Sequence, residues 1–257
     1  QHVEPDTSKQ VQNLNLTIVI WNIAGLRNKL VDPGWQNFVM GYDILCLQET
    51  WSLDISFNMP GFKQFISTAE QSNNGRPRGG LVTFIRNKIA VHSYNFSIVE
   101  NRNLVGVCFG KHKSKIRLLI NIYIPGDFDQ SKAVIQALED NIRSYLDTNK
   151  SDGNYCSLII AGDLNTHLCQ GMCPLNMDHV YSDSNIKSHF EHTPRSSLLN
   201  SMLTEFSLSV PQDIVESEIP SFIGRGCRTS VGFFFDVGMG MPRTLGGKKA
   251  LGFMGLP

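Results

Sequence analysis

A carboxylate and an amide stand two residues apart at the end of an apolar segment, with Gly162 before Asp163 and Asn165 after it. The preceding run, Leu158–Ala161, is apolar and rich in isoleucine, which predicts a buried strand that ends at the glycine. Side chains two residues apart at a strand end point the same way. A general base can therefore lie beside a group that holds a substrate, and we predict that this segment forms part of a catalytic site at a sheet edge.

Two earlier segments also end in polar side chains that follow apolar runs. Asn22 follows Ile18–Trp21, and Glu49 comes shortly after Ile44–Leu47. A charge so close to an apolar run needs a partner, and a hard divalent cation with oxygen ligands would supply one. A salt bridge to an arginine would satisfy Glu49 as well, and Asn22 taken alone would be read as a turn former.

A further segment places a phenol near the same cleft. In the run Leu118–Gly126, strand alternation puts Asn121 and Tyr123 on one face, so the phenol can reach the strand-end cleft. A tyrosine at a sheet rim is common by itself. Together, however, the segments occur in order along the chain and each lies at a strand end, which outlines a site that cleaves phosphodiesters.

The elements that must position these side chains are strands and helices in alternation. Strands outnumber helices, and the helices fall between groups of strands, which indicates mixed sheets packed face to face with helices outside. A doubly wound parallel sheet is the second candidate, since no glycine-rich phosphate loop follows an early strand. The apolar periodicity predicts strands at Leu16–Ile23, Ile44–Leu47, Gly80–Ile85, Leu104–Phe109, Ile116–Ile124 and Leu158–Ala161, and helices at Leu30–Met40, Ser131–Asp147 and Ser196–Phe206.

Charge limits the kind of partner that the chain can bind. The 257 residues carry 23 basic and 23 acidic side chains, so the formal net charge is zero and any nucleic-acid-binding face must be local. Arg76 and Arg78, in a polar loop, and the lysines near 111–115 could contact phosphates, with solvated surface charge as the alternative. No apolar run is long enough to cross a bilayer, and no signal peptide opens the chain.

The six cysteines are scattered along the chain. Cys46, Cys108 and Cys156 lie in apolar runs, where a reduced, buried thiol is expected. Cys169 and Cys173 have a spacing that occurs in zinc sites, but no second close pair follows, so a structural zinc is not favoured. An intracellular, reducing compartment is favoured over a disulfide framework, and we expect the nucleus.

These motifs together resemble the endonuclease/exonuclease/phosphatase superfamily. The residues that carry the resemblance are Trp21-Asn22, Gln48-Glu49-Thr50, Arg78-Gly79-Gly80, Tyr123-Ile124-Pro125 and Gly162-Asp163-Leu164-Asn165. Within the superfamily the chain looks most like the endonuclease domain of non-LTR (LINE-type) retrotransposons and their domesticated relatives. The segments that point there are Asn22–Arg27, Tyr42–Trp51 and Ser221–Arg228. The resemblance implies an α/β fold, a four-layer α/β sandwich of two packed mixed sheets flanked by helices, with a metal-dependent cleft for phosphoesters.

The resemblance also implies a role for each site residue. Glu49 would be the main ligand of Mg²⁺, or of Mn²⁺, with Asn22 helping to position metal or phosphate. Asp163 would orient and deprotonate the attacking water. Asn165 and Tyr123 would donate hydrogen bonds to the charge that grows in the transition state. The partner would be the phosphate backbone of DNA, and the reaction would nick one strand and leave a 3′ hydroxyl.

The C-terminal part departs from the family pattern, which ends in a Ser-x-x-Asp strand and an Asp-His pair. After Arg228 the chain has Phe233 where an aspartate is expected, and no histidine follows His192. Asp236 lies three residues out of register, which changes the strand face. Two explanations stay open: a degenerate or rearranged copy that has lost its catalytic histidine, or a chain cut or read in a different frame beyond Arg228.

We therefore predict a metal-dependent phosphodiester hydrolase, a DNA endonuclease (nickase) of the retrotransposon type, with activity impaired by the missing Asp-His pair. One alternative is a non-catalytic, domesticated module that binds nucleic acid or protein. Another is a phosphatase of the same superfamily that acts on inositol phosphates or lipid head groups, against which the Gly224–Arg228 run argues. The sequence does not predict the oligomeric state. The expected layout is a flexible lead-in over 1–14, the enzyme-type domain over 15–228 and a divergent tail over 229–257, so that the C-terminal part of the fold is incomplete or altered.

Overall fold

The computed structural model describes residues 17–54, 57, 59–72, 75–90, 93–96, 98, 101–109, 115–150, 155–165, 194–206, 208, 222–224 and 227–229. The strands are β1 (Ile18–Asn22), β2 (Ile44–Gln48), β3 (Phe62–Ser67), β4 (Leu81–Arg86), β5 (Ser93–Phe96), β6 (Leu104–Phe109), β7 (Lys115–Tyr123), β8 (Tyr155–Asp163), β9 (Phe222–Gly224) and β10 (Cys227–Thr229). The helices are α1 (Arg27–Leu30), α2 (Pro33–Val39), α3 (Asn87–Ala90), α4 (Phe128–Lys150) and α5 (Pro194–Glu205).

The main strands form two mixed sheets of four strands each, in the orders β1-β2-β4-β3 and β5-β6-β7-β8. In the first sheet β1 and β2 run parallel and the other neighbours antiparallel. The second sheet has the same arrangement, with β7 and β8 parallel. Each sheet therefore ends in a parallel pair, and these pairs face each other where β1 and β2 contact β8. β9 and β10 form a separate antiparallel hairpin.

Alternating side chains of the strands build three apolar layers. On β2, Ile44 and Cys46 face the second sheet, whereas Leu45 and Leu47 pack with Trp35 and Val39 of α2. On the far side, the second sheet packs against α4 and α5 through a core that includes Leu138, Tyr145, Leu199 and Leu203. The order of layers is helices, sheet, sheet, helices, which confirms the four-layer α/β sandwich and excludes a doubly wound parallel sheet.

The helix predicted over Leu30–Met40 is wrong at its start, because a proline interrupts it. Pro33 lacks an N–H and fits the first position of a helix. Asp32 caps the new helix, since its carboxylate accepts a hydrogen bond of 2.8 Å from the Gly34 N–H. The segment therefore forms two short helices, α1 and α2, with Trp35 buried as expected.

The polar strands β3 and β5 were not predicted, because both lie at sheet edges. β3 carries Lys63 and Gln64 among its apolar residues, and the middle of β5 is exposed. An edge strand buries only part of its surface, so it does not need a continuous apolar run. By contrast, the strand predicted at Leu158–Ala161 is confirmed and extends in both directions as β8.

Some sequence predictions lie outside the described residues: the lead-in over 1–14, Cys169, Cys173, His192 and Asp236 with most of the tail. Cys46 and Cys108 are buried, reduced thiols, as predicted. In the part of the chain that the structure describes, no helix has the length and apolarity needed to cross a membrane.

Candidate active site

The site lies where the carboxyl ends of the two parallel strand pairs meet. Asn22 ends β1, and Glu49 directly follows β2, whose Gln48 pairs with Asn22. In the second sheet, Tyr123 and Asp163 are partners at the ends of β7 and β8. A hydrogen bond of 2.9 Å from Asn22 Nδ2 to Asp163 Oδ2 joins the two sheets at this point. The structure thus brings together side chains that lie up to 141 positions apart in the chain.

Asp163 is a buried carboxylate, with only 7% of its surface exposed. Oδ2 accepts the hydrogen bond from Asn22, and Oδ1 accepts one of 3.0 Å from the backbone N–H of Asn165. Burial raises the pKa of Asp163, the two N–H donors oppose this rise, and the negative charge of Glu49 adds to it. A raised pKa makes the carboxylate a better proton acceptor near neutral pH than an exposed aspartate.

Gly162 is needed immediately before Asp163 because the strands are too close for a side chain. A Cβ at this position would lie 1.9 Å from the carbonyl oxygen of Ile122, the residue that faces Gly162 on β7. Real Cβ atoms do not approach a carbonyl oxygen this closely, so any other residue would push β8 away from β7 and displace Asp163.

Glu49 is only partly buried and is held by N–H donors. Its Oε2 accepts hydrogen bonds from the Trp51 indole Nε1, at 2.7 Å, and from the Gly79 backbone N–H, at 3.1 Å. Among the described residues, no lysine or arginine forms an ion pair with Glu49. The arginine salt bridge considered from the sequence is therefore absent from this part of the structure.

Tyr123 faces the same cleft, as strand alternation predicts. Its phenol is hydrogen-bonded to the Glu49 carboxylate. Burial raises its pKa, and the hydrogen bond to Glu49 and the negative charges of Glu49 and Asp163 raise it further, with a small opposing effect of the Arg195 cation. The phenol therefore keeps its proton and stays a hydrogen-bond donor at neutral pH.

Asn165 is placed at the site by a turn after β8, and not by the alternation of side chains along the strand. β8 ends at Asp163, and Asn165 has a φ of 45°, so the alternation that predicted a shared face with Asp163 does not extend to it. Its backbone N–H bonds to Asp163, as asparagine and aspartate turns commonly do. Its side-chain nitrogen would lie 3.6 Å from a Cβ placed on Gly126, in the loop after β7.

Arg195 holds this turn in place and was missed in the sequence. Its Nη1 donates a hydrogen bond of 2.5 Å to the Asn165 carbonyl oxygen, and its Nε donates one of 3.2 Å to the Ser131 hydroxyl. Its Nη2 donates to the carbonyl oxygen of Gly126. A signal was present, because a cation in the first turn of a helix such as α5 opposes the helix dipole and needs other partners.

The site concentrates unusual backbone conformations. In the described chain, the non-glycine residues with positive φ are Ala24, Glu49, Trp51 and Asn165, at 49°, 54°, 52° and 45°. Such conformations cost about 1–3 kcal/mol each and persist where the surroundings enforce them. Here the Gly25 N–H donates to the Glu49 carbonyl at 2.8 Å, and the Trp51 N–H donates to the Gly79 carbonyl at 3.0 Å.

A buried polar network aligns the two sheets below the site. Gln48 Nε2 donates a hydrogen bond of 2.7 Å to Asn121 Oδ1, and Asn121 Nδ2 lies 3.2 Å from the Thr83 hydroxyl and the Val82 carbonyl oxygen. All three polar side chains are fully buried. Asn121 belongs to β7, whereas its partners belong to β2 and β4. These hydrogen bonds therefore fix the second sheet to the first sheet, at a position two residues before Tyr123.

The predicted phosphate contacts lie in the loop beside Glu49, and both side chains are exposed. The Arg76 guanidinium stacks on the Trp51 ring, 3.5 Å from its centroid. Arg78 pairs through its backbone with Glu70 and directly precedes Gly79, whose N–H bonds to Glu49. Their positions agree with contact to a substrate near Glu49, and the phosphate contacts themselves stay a prediction.

The oxygen atoms at the cleft fit a magnesium ion. Mg²⁺ prefers oxygen ligands and is held by one or two carboxylates together with waters and phosphates. Glu49 offers its second carboxylate oxygen, because the N–H groups of Trp51 and Gly79 both donate to Oε2. Asn22 offers its amide oxygen, since its amide nitrogen is the atom that donates to Asp163. In the described residues no group of three or more His, Cys, Asp or Glu side chains is arranged to hold a metal ion.

A family model described as endonuclease/exonuclease/phosphatase family matches residues 19–204. The chain belongs to this family. The match covers most of the chain and includes every residue of the site, which confirms the family predicted from the sequence. It lies inside the domain predicted over 15–228, whose boundaries stay predictions, as does the nuclear location.

Solved structures share the fold of this family member at low sequence identity. An AP endonuclease from Archaeoglobus fulgidus is 16% identical, with a TM-score of 0.53 and 86% of each chain covered. The 3′ phosphatase NExo from Neisseria, bound to product DNA hairpin, is 13% identical, with a TM-score of 0.54 and 86% of each chain covered. The endonuclease domain of TRAS1, a telomere-specific non-LTR retrotransposon, is 16% identical, with a TM-score of 0.51 and coverage of 86% of this chain and 83% of that one. No curated protein sequence matches the chain.

Proposed function

We propose that this chain is a Mg²⁺-dependent phosphodiester hydrolase that nicks DNA, of the type found in non-LTR retrotransposons. The observation that carries the proposal is the meeting of Asn22, Glu49, Tyr123 and Asp163 at the ends of two facing strand pairs, with Asn22 bonded to Asp163 across the sheets at 2.9 Å. The TRAS1 endonuclease domain, which shares this fold, supports the retrotransposon type.

Glu49 would hold the metal ion through the carboxylate oxygen that accepts no hydrogen bond from Trp51 or Gly79, and Asn22 would hold it through its amide oxygen. When bound, the ion would offset negative charge on the phosphoryl oxygens and on the leaving oxygen. Mn²⁺ has similar ligand preferences and would serve in its place.

Asp163 would orient the attacking water and accept its proton. Burial raises its pKa, which suits a base, while the Asn22 and Asn165 N–H groups fix both carboxylate oxygens. Tyr123 stays protonated, and with the Asn165 amide it would donate to the developing negative charge of the phosphate. Arg76 and Arg78, on the rim, would contact the flanking DNA backbone.

The test is nicking of supercoiled plasmid by the purified chain in excess over DNA, with Mg²⁺ or with EDTA. We expect slow nicking that requires the metal, since Phe233 stands where the family pattern has an aspartate. Asp163→Ala should lower the rate by about 10²–10⁴, the usual contribution of a general base. Asp140→Asn, an exposed carboxylate on α4, is the matched control and should keep the rate.

Nicking that survives both Glu49→Ala and Asp163→Ala would contradict this assignment. If the wild-type chain binds Mg²⁺ and DNA without cleaving, the non-catalytic binding module becomes the better description. That alternative is favoured by the sequence after Arg228, which lacks the Asp-His pair. Release of phosphate from inositol phosphates without nicking would favour the phosphatase instead.

A further inference from the structure

Trp51 was not predicted as a site residue, yet its side chain contacts Glu49. Its indole Nε1 donates a hydrogen bond of 2.7 Å to Glu49 Oε2, and the Gly79 backbone N–H donates to the same oxygen at 3.1 Å. Both donors therefore converge on one oxygen of the carboxylate. The other oxygen receives neither of them.

The indole is fixed on both faces. A Cβ at Gly25 would lie 2.8 Å from Trp51 Cε3, so the ring packs directly on the glycine backbone. The Arg76 guanidinium covers the ring at 3.5 Å from its centroid, in a cation–π contact. The left-handed conformations of Glu49 and Trp51, with φ of 54° and 52°, turn the two side chains of this short segment toward each other.

We propose that Trp51 is a positioning residue for Glu49 and sets the affinity of the site for a divalent cation. By occupying Oε2, the indole N–H fixes the rotation of the carboxylate and so holds its other oxygen in one orientation for the ion. This inference rests on the proposed function, because it requires Glu49 to be a metal ligand. Partners that orient a metal ligand in this way typically contribute about 10–100-fold to metal affinity.

The experiment compares two Trp→Phe substitutions in the full 257-residue chain. Trp51→Phe keeps an aromatic ring for Arg76 and removes the N–H that binds Glu49. Trp35→Phe is the matched control, since the buried Trp35 Nε1 has no hydrogen-bond partner among the described residues. Mn²⁺ is titrated into each protein, with free Mn²⁺ measured by electron paramagnetic resonance and Glu49→Gln as the reference for loss of the ligand.

Trp51→Phe should weaken Mn²⁺ binding by about 10–100-fold, whereas Trp35→Phe should leave it unchanged. Equal affinity in Trp51→Phe and wild type would overturn the inference, and so would an equal loss in both tryptophan variants. Wild-type binding no tighter than that of Glu49→Gln would instead overturn the metal site of the proposed function, and the inference with it. The failures of the two proposals are thus distinguishable.

A second readout separates positioning from a general loss of structure. In plasmid nicking, Trp51→Phe should raise the Mg²⁺ concentration needed for half-maximal rate, while the rate at saturating Mg²⁺ returns to within about twofold of wild type. A lower maximal rate with an unchanged Mg²⁺ requirement would contradict the proposed role. Thermal unfolding without metal should give similar midpoints for wild type and Trp51→Phe.

Discussion

The two carboxylates of the site lie at the carboxyl ends of the parallel strand pairs, one in each sheet, yet their surroundings differ. Glu49, after β2, is partly exposed and is held by donors of its own sheet and loop, Trp51 and Gly79. Asp163, at the end of β8, is buried and is held across the sheet interface by Asn22. The half of the site around Glu49 is open to a ligand, whereas the half around Asp163 is closed around its carboxylate.

This difference suggests how one pair of acidic residues can divide two tasks. A partly exposed carboxylate with an oxygen turned to the cleft is suited to hold a cation. A carboxylate whose pKa is raised by burial is suited to exchange a proton. Under the proposed function, the environment and not the residue type assigns the roles.

After loss of the base itself, the largest effect is expected for Tyr123→Phe, which removes a hydrogen-bond donor that interacts with both carboxylates. Loss of one hydrogen-bond donor to transition-state charge lowers the rate by about 10²–10³. Single-turnover nicking at saturating Mg²⁺ measures this loss. Tyr94→Phe is the matched control, since Tyr94 is an exposed tyrosine on the edge strand β5.

A loss in Tyr123→Phe that disappears at high Mg²⁺ would assign the phenol to metal binding and not to the transition state. A rate within twofold of wild type at all Mg²⁺ concentrations would remove Tyr123 from the catalytic groups.

A smaller effect on the nicking rate is expected for Asn22→Ala, which removes the hydrogen bond that joins the two sheets at Asp163. The Asn22 N–H favours the ionised form of Asp163, so its loss should raise the pKa of Asp163 further above the usual carboxyl range. Because the base must be ionised, the acid limb of the pH–rate profile should move to higher pH. Asn95→Ala, an exposed asparagine on β5, should leave the profile in place.

The same shift has a consequence for stability. The folded protein holds the Asp163 proton to higher pH than the unfolded chain does, so ionisation of this group lowers the free energy of unfolding as pH rises through the raised pKa. In Asn22→Ala this decline should extend to higher pH. An acid limb that moves to lower pH would show that Asn22 does not stabilise the charged form of Asp163.

The sequence was informative where local rules decide the structure. Buried strands such as Ile44–Gln48 appear as continuous apolar runs, and the polar residues at their ends identify the site. Strand alternation correctly placed Tyr123 at the cleft. The edge strands β3 and β5, which have weaker patterns, were not found.

Long-range contacts could not be predicted in the same way. The hydrogen bond between Asn22 and Asp163 joins residues 141 positions apart in the chain, and the hydrogen bond from Arg195 to Gly126 joins residues 69 positions apart. Trp51 was part of a recognised motif, but its hydrogen bond to Glu49 depends on two left-handed residues that no sequence pattern reveals. Such contacts are set by tertiary packing.

If Glu49 binds the metal while Asp163 performs the chemistry, substitutions at the two residues should affect different quantities. Mn²⁺ affinity is determined by electron paramagnetic resonance for wild type, Glu49→Gln and Asp163→Asn, alongside the nicking rate of each. We expect Glu49→Gln to lose metal binding, whereas Asp163→Asn should keep the affinity within about threefold and lose nicking by about 10²–10⁴. A loss of Mn²⁺ affinity in Asp163→Asn as large as that in Glu49→Gln would contradict the division of roles between the two carboxylates.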